Sequence, residues 1–167
     1  MGKFVQWKHR VIPILEYYSA VRNTEATRAL RNQFRVLPDR ILFDVGQRLK
    51  SRRRNITPAI PIPLDAPYVS ELKDLIFDTA KDQRLFPWTT RTSYNIVRRV
   101  FKYPHWFRLS RITWFFQPHP EVNRPQGFSI AEVRSWTGLS LRALNFYVGI
   151  VGIESMGKAL ANKERSR

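Results

Sequence analysis

The sequence predicts an α+β domain that is mostly helical and contains one small antiparallel β-hairpin. Apolar residues recur every three or four positions over most of the chain, as they do in amphipathic helices. One short apolar run, residues 41–45, lies between turn residues and is followed by an arginine-rich loop and a proline-rich returning arm. The chain has 167 residues, 43% of them hydrophobic, which suits a single domain over residues 1–167.

The N-terminal part is predicted to contain two helices and then the hairpin. Residues 11–37 carry a helical apolar stripe, which is interrupted at Asn23, a residue suited to cap a second helix. Pro38-Asp39-Arg40 indicates a turn before the strand at 41–45. The returning arm, residues 56–63, contains three prolines, which lack backbone donors and therefore predict an edge strand.

Helices are predicted for most of the remaining chain. Ser129 followed by Glu132 is a capping-box pattern, and Gly138 is suited to end the helix that Ser129 begins. The helix after Thr89 is expected to turn four residues inward, namely Tyr94, Val97, Val100 and Phe101. The expected helices cover residues 67–80, 89–103, 105–116, 129–138 and 141–151, with a weaker helix at 153–162 and a frayed tail at 163–167.

Charge indicates a polyanionic partner. Lys and Arg total 29 against 13 acidic residues, which gives a formal net charge of +16. A basic RNA-binding protein of ribosomal type is an open alternative on charge alone. The chain has no cysteine, which excludes disulfides, thiolate catalysis and cysteine zinc sites. It also lacks a signal peptide and an apolar run of about 20 residues, so we expect a cytoplasmic protein without a membrane partner.

Four short motifs follow one another along the chain. In the first, residues 18–25, small residues precede Arg22 and Glu25 follows three positions later. The second is the basic hairpin around Lys50. The third runs from His105 to Thr113 and reads His-Trp-Phe-Arg-Leu-Ser-Arg-Ile-Thr. The fourth is Gly-Leu-Ser at 138–140, with a tyrosine nine residues after the glycine.

In this order and spacing, the motifs resemble the catalytic domain of tyrosine recombinases and phage-type integrases, in a divergent form similar to archaeal members. The resemblance covers residues 12–151. It implies a site-specific recombinase or integrase of a mobile element, viral or archaeal, that acts on double-stranded DNA. It implies no cofactor, and it places the protein at the nucleoid, or in the host cytoplasm if a virus or mobile element encodes it.

The resemblance also implies a role for each catalytic residue. Arg22 and Arg108 would clamp the non-bridging phosphate oxygens with paired N–H donors. Tyr147 would attack phosphorus and form a 3′-phosphotyrosine. Lys50 would protonate the departing 5′ oxygen, and His105 would assist proton movement or orient the phosphate. Other arginines are expected to contact DNA, namely Arg48, Arg52, Arg53, Arg54, Arg91 and Arg111.

Two departures from the family pattern keep a non-catalytic alternative open. Leu139 occupies the position where the family usually has His or Trp, and leucine cannot donate a hydrogen bond to the phosphate. The spacing from Gly138 to Tyr147 is one residue shorter than usual, and one residue rotates a helix by about 100°. A DNA-binding remnant or regulator on the same scaffold fits these features as well.

Three further expectations concern assembly, completeness and the remaining histidines. Family members act as tetramers on DNA and exchange a C-terminal segment, and the apolar stripe within 153–162 is either that segment or part of the protein's own core. The motifs begin within the first 25 residues, so the chain is expected to be a minimal enzyme or a fragment that lacks an N-terminal domain. His9 and His119 are expected at the surface, and no residue cluster has metal-ligand spacing.

Overall fold

The computed structural model describes residues 7–46 and 59–165. It confirms a mostly helical α+β fold with a small antiparallel sheet. The chain was expected to form one domain, and it divides into two compact units, residues 1–109 and 110–167. The elements are α1 (Trp7–Ser19), α2 (Asn23–Thr27), β1 (Phe34–Val36), β2 (Arg40–Phe43), β3 (Ile60–Pro63), α3 (Val69–Asp78), α4 (Thr90–Arg98), α5 (Trp106–Phe116), α6 (Ile130–Thr137) and α7 (Leu141–Arg165).

The sheet has three antiparallel strands in the order β1-β2-β3. The prediction that a helix continues to residue 37 is wrong, because Phe34–Val36 pairs with β2 instead. Phe34 stacks on Phe43 directly opposite, with ring centroids 4.4 Å apart, so a partner distant in sequence overrides the local helical pattern. The strand predicted near residue 41 and the proline-rich edge strand are both confirmed.

The core of the first unit is built around α1. This helix packs against α2, α3, α4 and β3, and it begins at Trp7, four residues before the predicted start. Its buried positions Val11, Ile12 and Leu15 follow the three-to-four periodicity of a helix that faces a core. The helix predicted at 67–80 is confirmed as α3, which buries four residues, namely Val69, Leu72, Leu75 and Ile76.

The inward face predicted for α4 is partly wrong. Val97 is fully buried, but Tyr94 and Phe101 are 37% and 36% exposed. The helix instead buries Ser93 and Ile96 where it packs against α1 and α2, and the indole Nε1 of Trp88 donates a 2.8 Å hydrogen bond to the Ser93 hydroxyl. The face of α4 that carries Tyr94 is therefore open to solvent.

In the second unit, the predicted capping box at the start of α6 is confirmed. The Glu132 N–H donates to the Ser129 hydroxyl at 3.2 Å, and the Ser129 N–H donates to the Glu132 carboxylate at 2.8 Å. Gly138 ends this helix with φ 66°, as predicted. The helix predicted to stop near residue 151 continues instead as one 25-residue helix, α7. Among the helices of the described ranges, none combines the length and apolarity needed to cross a membrane.

Candidate active site

A left-handed turn between α1 and α2 presents Arg22. Ala20 has φ 53°, a conformation that L-residues with a Cβ atom rarely adopt. Its N–H donates to the carbonyl of Tyr17 at 3.3 Å, and the hydroxyl of Ser19 donates to the carbonyl of Leu15. The small residues that the sequence placed before Arg22 therefore make the sharp change of direction that ends α1.

Glu25 fixes Arg22 at the N-terminus of α2. Its Oε2 accepts a 2.8 Å hydrogen bond from the Arg22 backbone N–H, and its Oε1 lies 3.5 Å from Nη1 of the same arginine. The Glu25 side chain is 3% exposed, whereas that of Arg22 is 28% exposed. The carboxylate is thus buried beneath the turn, and the guanidinium keeps a face open to solvent.

A buried carboxyl group lies behind this turn. Glu16 of α1 is 2% exposed, and its Oε1 accepts a 2.6 Å hydrogen bond from Nδ2 of Asn23, the first residue of α2. Burial raises the pKa of Glu16 from 4.5 to about 8, and the hydrogen bond from Asn23 opposes this only in part. At neutral pH the side chain is therefore mainly an uncharged acid that connects α1 to α2.

His105 and Arg108 both lie at the start of α5. His105 lies in the exposed turn before the helix, and its carbonyl accepts from the Leu109 N–H at 3.0 Å. Arg108 follows three positions later and is half-buried. Residues three apart on a helix share a face, so the predicted His-x-x-Arg pair lies on one side of the first turn.

Tyr147 lies on α7 in the second unit, whereas Arg22, His105 and Arg108 belong to the first. Tyr147 is half-buried, and its ring meets that of the exposed Phe146 edge-to-face at 5.8 Å. The turn before α7 carries the half-buried Leu139. No other tyrosine occurs after residue 110 in the sequence.

The arginines expected to contact DNA differ in their surroundings. Lys50 and the arginines of the hairpin loop, Arg48, Arg52, Arg53 and Arg54, lie outside the described residues. Arg91 is exposed on the first turn of α4. Arg111 is only 8% exposed, and its guanidinium lies 4.1 Å from the ring centroid of Trp114 and 4.9 Å from that of Phe115. Arg111 thus packs within the second unit, and its expected contact with DNA stays a prediction.

Neither of the remaining histidines is a fully exposed surface residue. His119, contrary to expectation, is 5% exposed; its Nε2 lies 2.6 Å from the carbonyl oxygen of Trp114, and its Nδ1 lies 3.1 Å from Glu121. His9 is half-buried against Trp88, and burial, with a smaller contribution from the charge of Arg99, lowers its pKa. Both residues contribute to packing.

One basic surface was missed by the sequence reasoning. From Gln83 to Pro120 the sequence contains seven Arg or Lys residues and no Asp or Glu. Within this segment Arg98, Arg99 and Lys102 are exposed, as are the rings of Tyr103 and Trp106. The absence of acidic residues over so long a stretch was the signal that could have revealed this surface.

Within residues 7–46 and 59–165, no three His, Asp or Glu side chains are grouped as a metal site would require.

Comparisons of the chain with protein families, with curated proteins and with solved structures find no match.

Proposed function

We propose that the chain is the catalytic domain of a site-specific DNA recombinase or integrase, a tyrosine recombinase of a mobile element. Its double-stranded DNA substrate is cut and rejoined through a covalent 3′-phosphotyrosine. The observation that carries the proposal is the turn around Arg22. The left-handed Ala20 turns the chain, and the buried Glu25 holds the arginine at a helix N-terminus with its guanidinium partly open.

The proposed reaction begins with attack by the phenolic oxygen of Tyr147 on a backbone phosphorus. A bond forms between this oxygen and phosphorus as the phenol gives its proton to His105, the bond from phosphorus to the 5′ oxygen breaks, and the 5′ oxygen takes a proton from Lys50. Arg22 and Arg108 stabilise the negative charge that develops on the non-bridging oxygens. A 5′ hydroxyl of a second strand then attacks the phosphotyrosine and gives its proton to Lys50, the bond from phosphorus to the Tyr147 oxygen breaks, and the phenol regains its proton from His105.

The start of α5 also supports this proposal. His105 is exposed and Arg108 is half-buried on the same side of one helical turn, so both could face a phosphate bound there. Two apolar side chains of α7, Ile153 and Met156, are 73% and 67% exposed. Exposed apolar side chains on the C-terminal helix suit the proposed exchange of this segment between copies of the chain on DNA.

The test is a search for the covalent adduct. The protein is incubated with a library of nicked duplexes of randomised sequence, and adducts are detected on denaturing gels. We expect an adduct with the wild-type protein and with Tyr94→Phe, a control at an exposed tyrosine of α4, but none with Tyr147→Phe. The proposal fails if no adduct forms with any duplex, or if the adduct survives Tyr147→Phe.

A non-catalytic DNA-binding protein on the same scaffold is the second candidate. Leu139 favours it, because this side chain offers no hydrogen bond to a phosphate at a position where the family uses a donor. This candidate predicts DNA binding with a steep salt dependence and no adduct. It also predicts that Arg22→Ala weakens DNA binding no more than the loss of another exposed arginine.

A further inference from the structure

We propose that the chain binds single-stranded DNA on a surface of its first unit, where unpaired bases stack on Tyr103 and Trp106. The surface consists of the end of α4 and the turn that precedes α5. We call it the aromatic–basic surface and define it by Arg98, Arg99, Lys102, Tyr103 and Trp106. It is distinct from the strand-cutting chemistry proposed above, because none of its members has a role in that reaction.

Tyr103 and Trp106 lie at the two ends of one backbone turn. The Trp106 N–H donates a 2.9 Å hydrogen bond to the Tyr103 carbonyl, so the two Cα atoms lie within about 7 Å, as in a β-turn. Pro104 is buried at the second position of this turn, where its fixed φ is favourable. Tyr103 and Trp106 are nevertheless 59% and 52% exposed, so the turn presents two aromatic rings to solvent.

The base of the turn is anchored by packing. The ring of Phe107, one residue after Trp106, meets that of Phe101 edge-to-face at 4.6 Å. Phe101 precedes the exposed pair in sequence, shortly after α4, and Phe107 follows it in the first turn of α5. Their contact therefore closes the segment that carries Tyr103 and Trp106. The rings are therefore presented on an ordered segment, which limits the entropy lost when a ligand binds.

The charge around the rings suits a polyanion. Arg98, Arg99 and Lys102 are exposed, and the Lys102 ammonium lies 5.3 Å from the centroid of the Tyr103 ring. The nearest acidic residues in sequence are Asp82 on one side and Glu121 on the other. A strand with negative phosphates and aromatic bases complements both features, since phosphates pair with the cations and bases stack on the rings.

Unpaired DNA fits this surface better than a duplex or a protein does. In a duplex the base faces are already stacked on one another, and a protein can reach only the base edges and the backbone. Tyr, Trp and Arg are also common at protein interfaces, but a protein partner of so basic a segment would need a strongly acidic face. Single strands combine exposed ring faces with regular negative charge, and cutting and exchange of DNA strands would expose such bases.

The test compares two strands that differ only in their bases. One probe is a fluorescent oligothymidine of about 16 nucleotides, and the other is an abasic strand of equal length. For oligothymidine, we expect Tyr103→Ala and Trp106→Ala each to raise Kd about tenfold, because one stacking contact is lost. Neither change should affect the abasic strand, whereas Arg98→Ala with Arg99→Ala should weaken binding of both strands.

Controls separate stacking from damage to the fold. Phe77→Ala removes a ring of α3 that is 62% exposed but lies between Asp74 and Asp78, and it should leave both affinities unchanged. Tyr103→Phe and Trp106→Phe keep a stacking face and should retain wild-type affinity for oligothymidine. Equal losses for the thymidine and abasic strands, or no loss on removal of either ring, would overturn the proposal.

The two proposals fail separately. The adduct assay depends on the Tyr147 phenol and a nicked duplex, whereas the oligothymidine assay measures equilibrium binding without cleavage. If no adduct forms but Trp106→Ala weakens oligothymidine binding, the proposal of the aromatic–basic surface stands and the recombinase proposal fails. If an adduct forms but thymidine and abasic strands bind equally well, only the recombinase proposal stands.

Discussion

Asn23 donates a 2.6 Å hydrogen bond from Nδ2 to Oε1 of Glu16, and this contact joins α1 to α2 behind the turn that carries Arg22. The Asn23 Oδ1 is buried without a hydrogen-bond partner among the described residues. An uncharged carboxyl suits such surroundings, because an ionised one would lose its hydration without an opposite charge nearby. The turn that carries Arg22 is therefore joined through Asn23 to a buried carboxyl group, Glu16, whose pKa is raised to about 8.

The first prediction concerns stability against pH. In the folded protein burial raises the pKa of Glu16 to about 8, whereas in the unfolded chain it is near 4.5. Between these values the folded protein holds a proton that the unfolded chain has lost. The free energy of unfolding therefore falls as pH rises through this window, by about 1 kcal/mol per pH unit, and levels off above it.

Glu16→Gln should remove this contribution, because the amide keeps a neutral acceptor for Asn23 and does not titrate. Urea unfolding at several pH values measures the free energy of unfolding. Glu71→Gln, which breaks the exposed ion pair of α3 with Arg10, is the matched control and should keep the wild-type slope. Parallel curves for wild type and Glu16→Gln across the window would contradict the prediction.

The second prediction concerns strain at the turn before Arg22. Ala20→Gly and Ala26→Gly each remove one buried methyl group, but Ala20 has φ 53° and Ala26 lies within α2. Glycine relieves left-handed strain at the first position and weakens a helix at the second. We expect Ala20→Gly to be more stable than Ala26→Gly by about 2 kcal/mol in chemical denaturation. Equal stability of the two variants would show that the turn is unstrained.

The third prediction concerns catalysis by Arg22. Arg22→Ala should slow adduct formation by roughly 10²–10³, because a preorganised donor to the developing phosphate charge is lost. Arg22→Lys should recover only part of the rate, since an ammonium cannot offer two parallel donors. Arg10→Ala, at an exposed arginine, is the control for loss of charge alone. Adduct rates that fall equally in Arg22→Ala and Arg10→Ala would count against the clamp.

The fourth prediction separates the two described arginines that were both expected to contact DNA. Arg91→Ala should reduce the slope of log affinity against log salt by about 1, because Arg91 is exposed on α4. Arg111→Ala should leave that slope unchanged and lower the free energy of unfolding by about 1–2 kcal/mol, since its stacking on Trp114 and Phe115 is lost. The reverse pattern would restore Arg111 as a phosphate contact.

The fifth prediction compares two glycines. Gly127 has φ 79°, and a Cβ atom there would lie 2.7 Å from the carbonyl oxygen of Phe116, so Gly127→Ala should cost about 3 kcal/mol or prevent folding. Gly152 lies within α7, and an added Cβ would meet nothing within 4 Å. Gly152→Ala should therefore stabilise the helix by up to about 1 kcal/mol in thermal or chemical unfolding. Similar effects at both positions would contradict this reasoning.

Features that depend on nearby residues were predictable from the sequence. The Ser129–Glu132 capping box, the left-handed Gly138 and the edge strand with Pro61 and Pro63 each follow from the chemistry of a few consecutive residues. The shared face expected for His105 and Arg108 stays a prediction, because His105 lies in the turn just before α5 begins.

Features that depend on distant partners were not predictable. Phe34 belongs to a strand because Phe43 lies opposite it, and no local pattern shows this pairing. Arg111 is a different case, because its partners Trp114 and Phe115 are near in sequence and a count of charges overlooked this i,i+3 and i,i+4 stacking. The sequence predicted a helix at 141–151 and a weaker one at 153–162, and the structure joins them into the single helix α7.

The two prolines of β3 have a consequence for the behaviour of the protein at high concentration. The Leu64 N–H donates to the carbonyl of Asp39, next to β2, at 3.0 Å. Along a strand, backbone N–H groups point to alternate sides, so Ile60 and Ile62, which lie four and two positions before Leu64, also direct their N–H groups toward β2. Pro61 and Pro63 alternate with them and have no N–H to offer to a strand arriving from outside. An incoming chain would find acceptors without donors, so this edge resists fibre growth and edge-to-edge aggregation.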